Sequence, residues 1–90
     1  MKIHRKIRVR GKVQGVYFRA YTQQKALELG VRGIVKNEPD GSVYIEAEGD
    51  ENSMNSFFSW CKQGPPAAIV KDVESETGEL KNYTSFDILK

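Results

Sequence analysis

One cysteine, Cys61, and one histidine, His4, are all that this 90-residue chain offers to thiol, imidazole or zinc chemistry. A single cysteine closes no disulfide within the chain, and no Cys/His cluster is available to hold zinc. Long apolar runs are also missing. No stretch approaches a membrane span, and the basic N-terminus Met1-Lys2-Ile3-His4-Arg5-Lys6 leads into no apolar segment of the secretory kind. Charge of one sign is not in excess: the formal net charge is +2, with no block of like charges, which argues against a nucleic-acid partner. Repeats, linkers and low-complexity tracts are absent too. What is present is a globular balance, 39% hydrophobic and 29% charged, in a length that suits one domain over residues 1–90. A cytoplasmic protein is the expectation.

The hydrophobic pattern orders the elements. Ile3, Ile7 and Val9 alternate with Lys6, Arg8 and Arg10, as in a half-buried strand with a basic outer face. A loop opened by glycines, Gly11 to Phe18, leads to a helix over about Phe18–Leu29. Its inner face is Phe18, Thr22, Ala26 and Leu29, and Gly30 ends it. Val31 to Asn37 reads as a strand, and Glu38-Pro39-Asp40-Gly41 as a turn. Val43, Ile45 and Ala47 complete a hairpin, alternating with Tyr44, Glu46 and Glu48. Asp50 is placed to cap a second helix with Met54, Phe57, Phe58 and Cys61 inward, stopped by Gly64-Pro65-Pro66. A fourth strand runs from Ile69 through Val73 to Thr77, and a short last one holds Phe86 and Ile88. The order βαββαβ with a terminal strand predicts an α+β, two-layer sandwich of the ferredoxin-like type, mostly antiparallel, with two helices on one face. In that topology the first and third strands are neighbours, so Arg8 and Arg10 are expected to face Glu46 and Glu48 outside the core.

The loop from Gly11 to Arg19 carries the chemical signal. It runs from a strand into a helix N-terminus, where free N–H groups and the positive end of the helix dipole attract an anion. Gly15 leaves room for close approach. Arg19 sits in the first helical turn, where its charge opposes the dipole unless an anion lies between them, and its planar fork suits phosphate oxygens. An ordinary surface arginine after a glycine-rich turn is the other reading.

These residues also resemble a family. Val9, Gly11, Val13-Gln14-Gly15-Val16 and Phe18-Arg19 match the first acylphosphatase signature at every specified position. Gly33-Ile34-Val35-Lys36-Asn37, with Gly41, Val43 and Gly49, resembles the second, departing only at Ile34, where that family usually has Trp, Tyr or Phe. Gly64-Pro65-Pro66-Ala67 and Phe86-Asp87-Ile88 extend the resemblance over nearly the whole chain. It implies hydrolysis of the carboxyl–phosphate bond of acyl phosphates. It also implies that Arg19 and the backbone amides of Gly15, Val16, Tyr17, Phe18 and Arg19 hold the phosphoryl group, and that Asn37 orients the attacking water. Without the resemblance Asn37 reads as a turn residue.

The scarcity of catalytic groups is compatible with that reaction. The leaving group is a carboxylate, which departs without a proton, so no general acid is needed. Phosphoryl transfer through a loose transition state depends mainly on positioning and charge stabilisation. No cofactor and no metal are expected. The expected ligands are a small acyl phosphate and inorganic phosphate, the latter as product and competitor, acting on a monomer that uses neither membrane nor nucleic acid. Two other readings stay open: a non-enzymatic acyl-phosphate sensor, and a module resembling the acylphosphatase-like N-terminal domain of hydrogenase-maturation carbamoyltransferases. The end of the chain at Lys90 leads us to expect a free-standing enzyme. Cys61 is expected in the core and Trp60 at its flank. His4 is expected at the surface near a frayed end, and Tyr17 either in loop packing or against the acyl group.

Overall fold

The computed structural model describes all 90 residues, Met1–Lys90. In chain order the elements are β1 (Lys2–Lys12), α1 (Phe18–Leu29), β2 (Arg32–Asn37), β3 (Val43–Asp50), α2 (Glu51–Gln63), β4 (Ile69–Thr77) and β5 (Phe86–Ile88). The sheet has the order β4-β1-β3-β2-β5. Only the β2–β5 pair is parallel. Both helices pack on one face, which makes the expected two-layer ferredoxin-like sandwich. Alternation along the strands explains the core: Ile7, Val9, Val35, Val43, Ile45 and Ala47 point inward against Phe18, Ala26, Met54, Phe57 and Cys61, and all are buried. Trp60 flanks this core, its ring 5.6 Å from that of Phe18.

Helix α1 ends as its sequence suggests. Gly30 takes a left-handed conformation, φ 72°; its N–H donates to Leu27 O, and the N–H of Val31 donates to Ala26 O. Those two bonds satisfy carbonyls that the last turn would otherwise leave bare. The start of α2 differs from expectation. Asp50 occupies the N-cap position, but its side chain caps no N–H. Strand β3 runs directly into the helix, and the N–H of Glu51 donates to the carbonyl of Met1 instead.

Two further expectations are corrected by the register. Arg8 lies opposite Tyr44, while Glu46 faces Lys6 and Glu48 faces His4. Arg10 pairs across the other edge of β1, with Asp72 and Glu74 of β4. Nor are the two glutamates outside: Glu46 and Glu48 are buried, and so is His4, only 1% exposed. The cause is the segment between β4 and β5. Its residues Gly78, Lys81 and Tyr83 lie over this part of the sheet, so the polar alternation of β1 and β3 faces protein there rather than solvent.

At the end of β1 the pairing with β4 slips between Arg10 and Gly11. Gly11 has φ 129°, and a Cβ there would stand 2.2 Å from the carbonyl oxygen of Ile69. Only glycine allows this bulge, and the bulge turns the chain from the sheet into the loop that precedes α1.

Candidate active site

The loop Val13-Gln14-Gly15-Val16-Tyr17 is anchored at two points. Val13 and Val16 are buried, while Gly15 between them is exposed. Gly15 takes φ 73° with open space where a Cβ would be. Tyr17 is also left-handed, φ 62° and ψ 23°, immediately before α1. For a residue with a β-carbon that conformation costs of order 1 kcal/mol. No side chain caps α1, and no acidic residue lies in its first turn. The N–H groups of Gly15, Val16 and Tyr17 donate to no backbone carbonyl. A helix N-terminus and a run of loop amides are thus left without an internal acceptor, the condition under which such a terminus binds an anion.

Gln14 ties this loop to the β2–β3 turn. Its side-chain amide donates to the carbonyls of Glu38 and Ser42, both at 2.8 Å. The turn is closed by the N–H of Glu38 on Ser42 O. Asp40 accepts from the N–H and the hydroxyl of Ser42, and Arg8 donates to the same hydroxyl at 2.9 Å. Asn37, the last residue of β2, stands at the base of the turn opposite Val43.

Across this junction Val13, Gly15, Tyr17, Phe18, Arg19 and Asn37 line one cavity of about 340 Å³. Most of the expected site residues therefore meet, Arg19 and Asn37 among them, although they sit on different elements. Val16 takes part only through its backbone, since its side chain belongs to the core. Arg19 is half-buried as a residue and its guanidinium is paired with no carboxylate; one of its N–H groups donates to the carbonyl of Leu89 at 3.1 Å. Leu89 follows β5 and is held by its own N–H on Val35 O. Two structural contributors were given no role by sequence reasoning. Gln14 lay inside the quoted signature, and its polar side chain between two buried valines was a usable signal. The Leu89 carbonyl is a backbone group 70 residues from Arg19, which no local pattern reveals.

Cys61 is fully buried, and burial pushes its thiol well above the usual range, so it presents no thiolate. His4 stands apart from the cavity, in a cluster on the opposite sheet face. Its Nδ1 lies 2.7 Å from Glu48 Oε2. Its Nε2 is 3.1 Å from Glu46 Oε1 but out of hydrogen-bonding alignment, so the Glu48 contact is the directed one. Glu48 also accepts from the backbone N–H groups of Lys81 and Tyr83. Glu46 accepts from the Lys81 ammonium at 2.7 Å and from the hydroxyls of Tyr44 and Tyr83. Burial alone would raise both carboxyl pKa values. For Glu48 the Lys81 N–H and His4, and for Glu46 the Lys81 ammonium and Tyr44, outweigh burial and hold them below the ordinary value.

Comparison with known proteins shows the family of this chain. A family model described as Acylphosphatase matches residues 5–88. The chain is 51% identical over 82 residues to an acylphosphatase of Archaeoglobus fulgidus, covering 91% of this chain and 92% of that one. It superposes on the crystal structure of acylphosphatase from Bacillus subtilis with a TM-score of 0.95 and 38% identity, over 100% of both chains. The crystal structure of T. kodakarensis HypF also matches, with a TM-score of 0.85 and 30% identity, covering 100% of this chain and 12% of that one. With a family match over almost its full length and relatives of equal size at 51% identity, the chain belongs to the acylphosphatase family, enzymes that hydrolyse acyl phosphates.

Proposed function

We propose that this acylphosphatase binds the phosphoryl end of its substrate at the N-terminus of α1. In this reading Arg19 and the amides of Gly15, Val16, Tyr17, Phe18 and Arg19 surround the phosphoryl oxygens, and Asn37 orients the water. The observation that carries it is the single cavity shared by Arg19, Asn37 and the glycine loop, at a helix start with no internal anion. The water attacks phosphorus, and the bond from phosphorus to the bridging oxygen breaks. The carboxylate leaves with the bonding electrons, and the water's proton passes to a phosphoryl oxygen. Charge on the equatorial oxygens is met by the guanidinium and by loop N–H groups that have no internal acceptor to give up, so little reorganisation accompanies the reaction.

The chain is proposed to act as one domain over residues 1–90, as a cytoplasmic monomer without a nucleic-acid or membrane partner. No helix is long and apolar enough to cross a membrane. The face of β3 opposite the helices carries buried Glu46 and Glu48, which disfavours a phosphate backbone there. Inorganic phosphate is the product and, on this reading, a competitive ligand. The test is the initial rate of benzoyl phosphate hydrolysis against rising phosphate. Competitive inhibition is expected, and a rate untouched by saturating phosphate would reject the cradle as the binding site.

A further inference from the structure

An acyl phosphate has two ends, and the cradle accounts for one. Once the phosphoryl group lies against Arg19, the acyl group must leave the cavity over its rim. Of the apolar side chains lining that cavity, Val13 and Phe18 are each 1% exposed and belong to the core. Tyr17 is the third, and it is 78% exposed. Its ring therefore packs nothing in the core, and it does not cap the helix that it precedes. Its backbone is left-handed, φ 62°, a conformation that glycine or asparagine adopts at lower cost. An aromatic ring held outward at a strained position beside an open cavity needs another explanation.

The next turn of α1 supplies a second observation. Tyr21, 43% exposed, follows Tyr17 by four residues, so the two lie on one side of the helix start. Tyr17, Ala20, Tyr21 and Gln24 line a separate shallow cavity of about 310 Å³, and Tyr17 borders both this cavity and the one holding Arg19 and Asn37. The two spaces thus adjoin at Tyr17, one lined also by Arg19 and Asn37 and the other by Tyr21, Ala20 and Gln24.

We propose that Tyr17 and Tyr21 form the acyl subsite of this enzyme, selecting acyl phosphates with a flat apolar acyl group over those with a small aliphatic one. This rests on the assignment of the phosphoryl cradle to Arg19 and its loop. A planar acyl group lies against the Tyr17 ring in offset or edge-on contact, and Tyr21 closes the outer side. Acetyl phosphate ends before it reaches either ring.

The test compares kcat/KM for benzoyl phosphate and acetyl phosphate. Tyr17→Asn removes the ring and suits a left-handed residue, Tyr17→Phe keeps the ring, and Tyr21→Ala alters an exposed helical position compatible with folding. The benzoyl-to-acetyl ratio is expected to fall about twofold to tenfold in Tyr17→Asn, mainly through KM for benzoyl phosphate, as suits the loss of one aromatic contact. It is expected to be restored in Tyr17→Phe and to fall less steeply in Tyr21→Ala. A wild-type ratio in Tyr17→Asn, with both substrates still turned over, would overturn the subsite and leave the cradle standing. If Tyr17→Asn does not fold, an unchanged ratio in Tyr21→Ala overturns it. Wild-type protein that hydrolyses neither compound would reject the cradle assignment and the subsite together.

Discussion

Two polar regions of this molecule handle charge in opposite ways. On one face of the sheet, His4, Glu46 and Glu48 are buried among partners: Glu48 accepts from His4 and two backbone N–H groups, and Glu46 accepts from an ammonium and two phenols. At the start of α1, Arg19 lacks a carboxylate and the loop amides lack acceptors. The first region is a closed network whose groups are worth most to folding when all are present. The second keeps its capacity open, and that open capacity is what a ligand can use. Titratable groups packed together are therefore not what marks the candidate site here. It is marked by loop amides with nothing inside the protein to receive them and by a guanidinium without a carboxylate.

The widest separation between the two regions is expected from Arg19→Ala. It should lower kcat/KM by about a thousandfold or more, the scale for removing a main stabiliser of transition-state charge, and should also weaken phosphate binding. Arg19→Lys should fail as well, because an ammonium lacks the bidentate fork. The denaturation midpoint should barely move. A variant that bound phosphate normally would place the anion elsewhere.

The reverse pattern is expected from Glu48→Ala, which strands His4 and two N–H groups. A loss of about 3 kcal/mol in unfolding free energy fits the breaking of a buried charged network, with the rate per folded molecule retained. Acid should reproduce part of this effect. The folded-state pKa values of Glu46 and Glu48 lie below their ordinary 4.5. Their contribution is thus fully present above about pH 4.5 and is lost as pH falls through the depressed values. Urea titrations from pH 6 to pH 2.5 should show stability declining below that point, with a shallower decline in Glu48→Gln. Equal slopes in the two proteins would remove Glu48 from the linkage.

Asn37→Ala sharpens the comparison inside the proposed site. The water is not part of bound phosphate, so kcat should fall about a hundredfold while phosphate affinity and folding stay near wild type. Calorimetry with phosphate beside the hydrolysis rate is the measurement. Near-normal turnover would return Asn37 to the role of a turn residue.

The smallest effect is expected from Ile34→Trp. Ile34 is half-buried on the face opposite the helices, across from Glu46 and beside Asp87. An aromatic there gains apolar contact at the edge of the closed network, and a stabilisation of up to about 1 kcal/mol is expected. A sharp fall in the denaturation midpoint would mean that the sheet has packed around isoleucine.

The contrast between the regions also explains what was legible in the sequence. Most helices and strands carried a hydrophobic pattern or flanking turn signals of their own, so their order and the two-layer arrangement could be read directly. The glycine loop and Arg19 were legible because a strand-to-helix junction imposes its chemistry locally. The environment of His4 was not, since alternation gives the side of a strand and not what lies over it. The covering residues Gly78, Lys81 and Tyr83 form no regular element; the bonds of Lys81 and Tyr83 to Glu46 and Glu48 span more than 30 residues, and Gly78 donates to the carbonyl of His4. The register of β1 on β3 was misjudged by four residues for a related reason: basic positions recur along β1 and acidic ones along β3, and sign alone does not choose among the pairings.

The fork made by Gln14 has a kinetic meaning. One primary amide clasps two carbonyls of the 38–42 turn, while its own backbone belongs to the anion loop. Opening of the loop must therefore drag the turn with it or break both bonds at once. The two halves of the cavity should breathe as a single unit, with correlated amide exchange at Gly15, Val16 and Glu38. In Gln14→Ala that correlation should vanish, leaving each half to fluctuate at its own rate and Asn37 to meet Arg19 only part of the time.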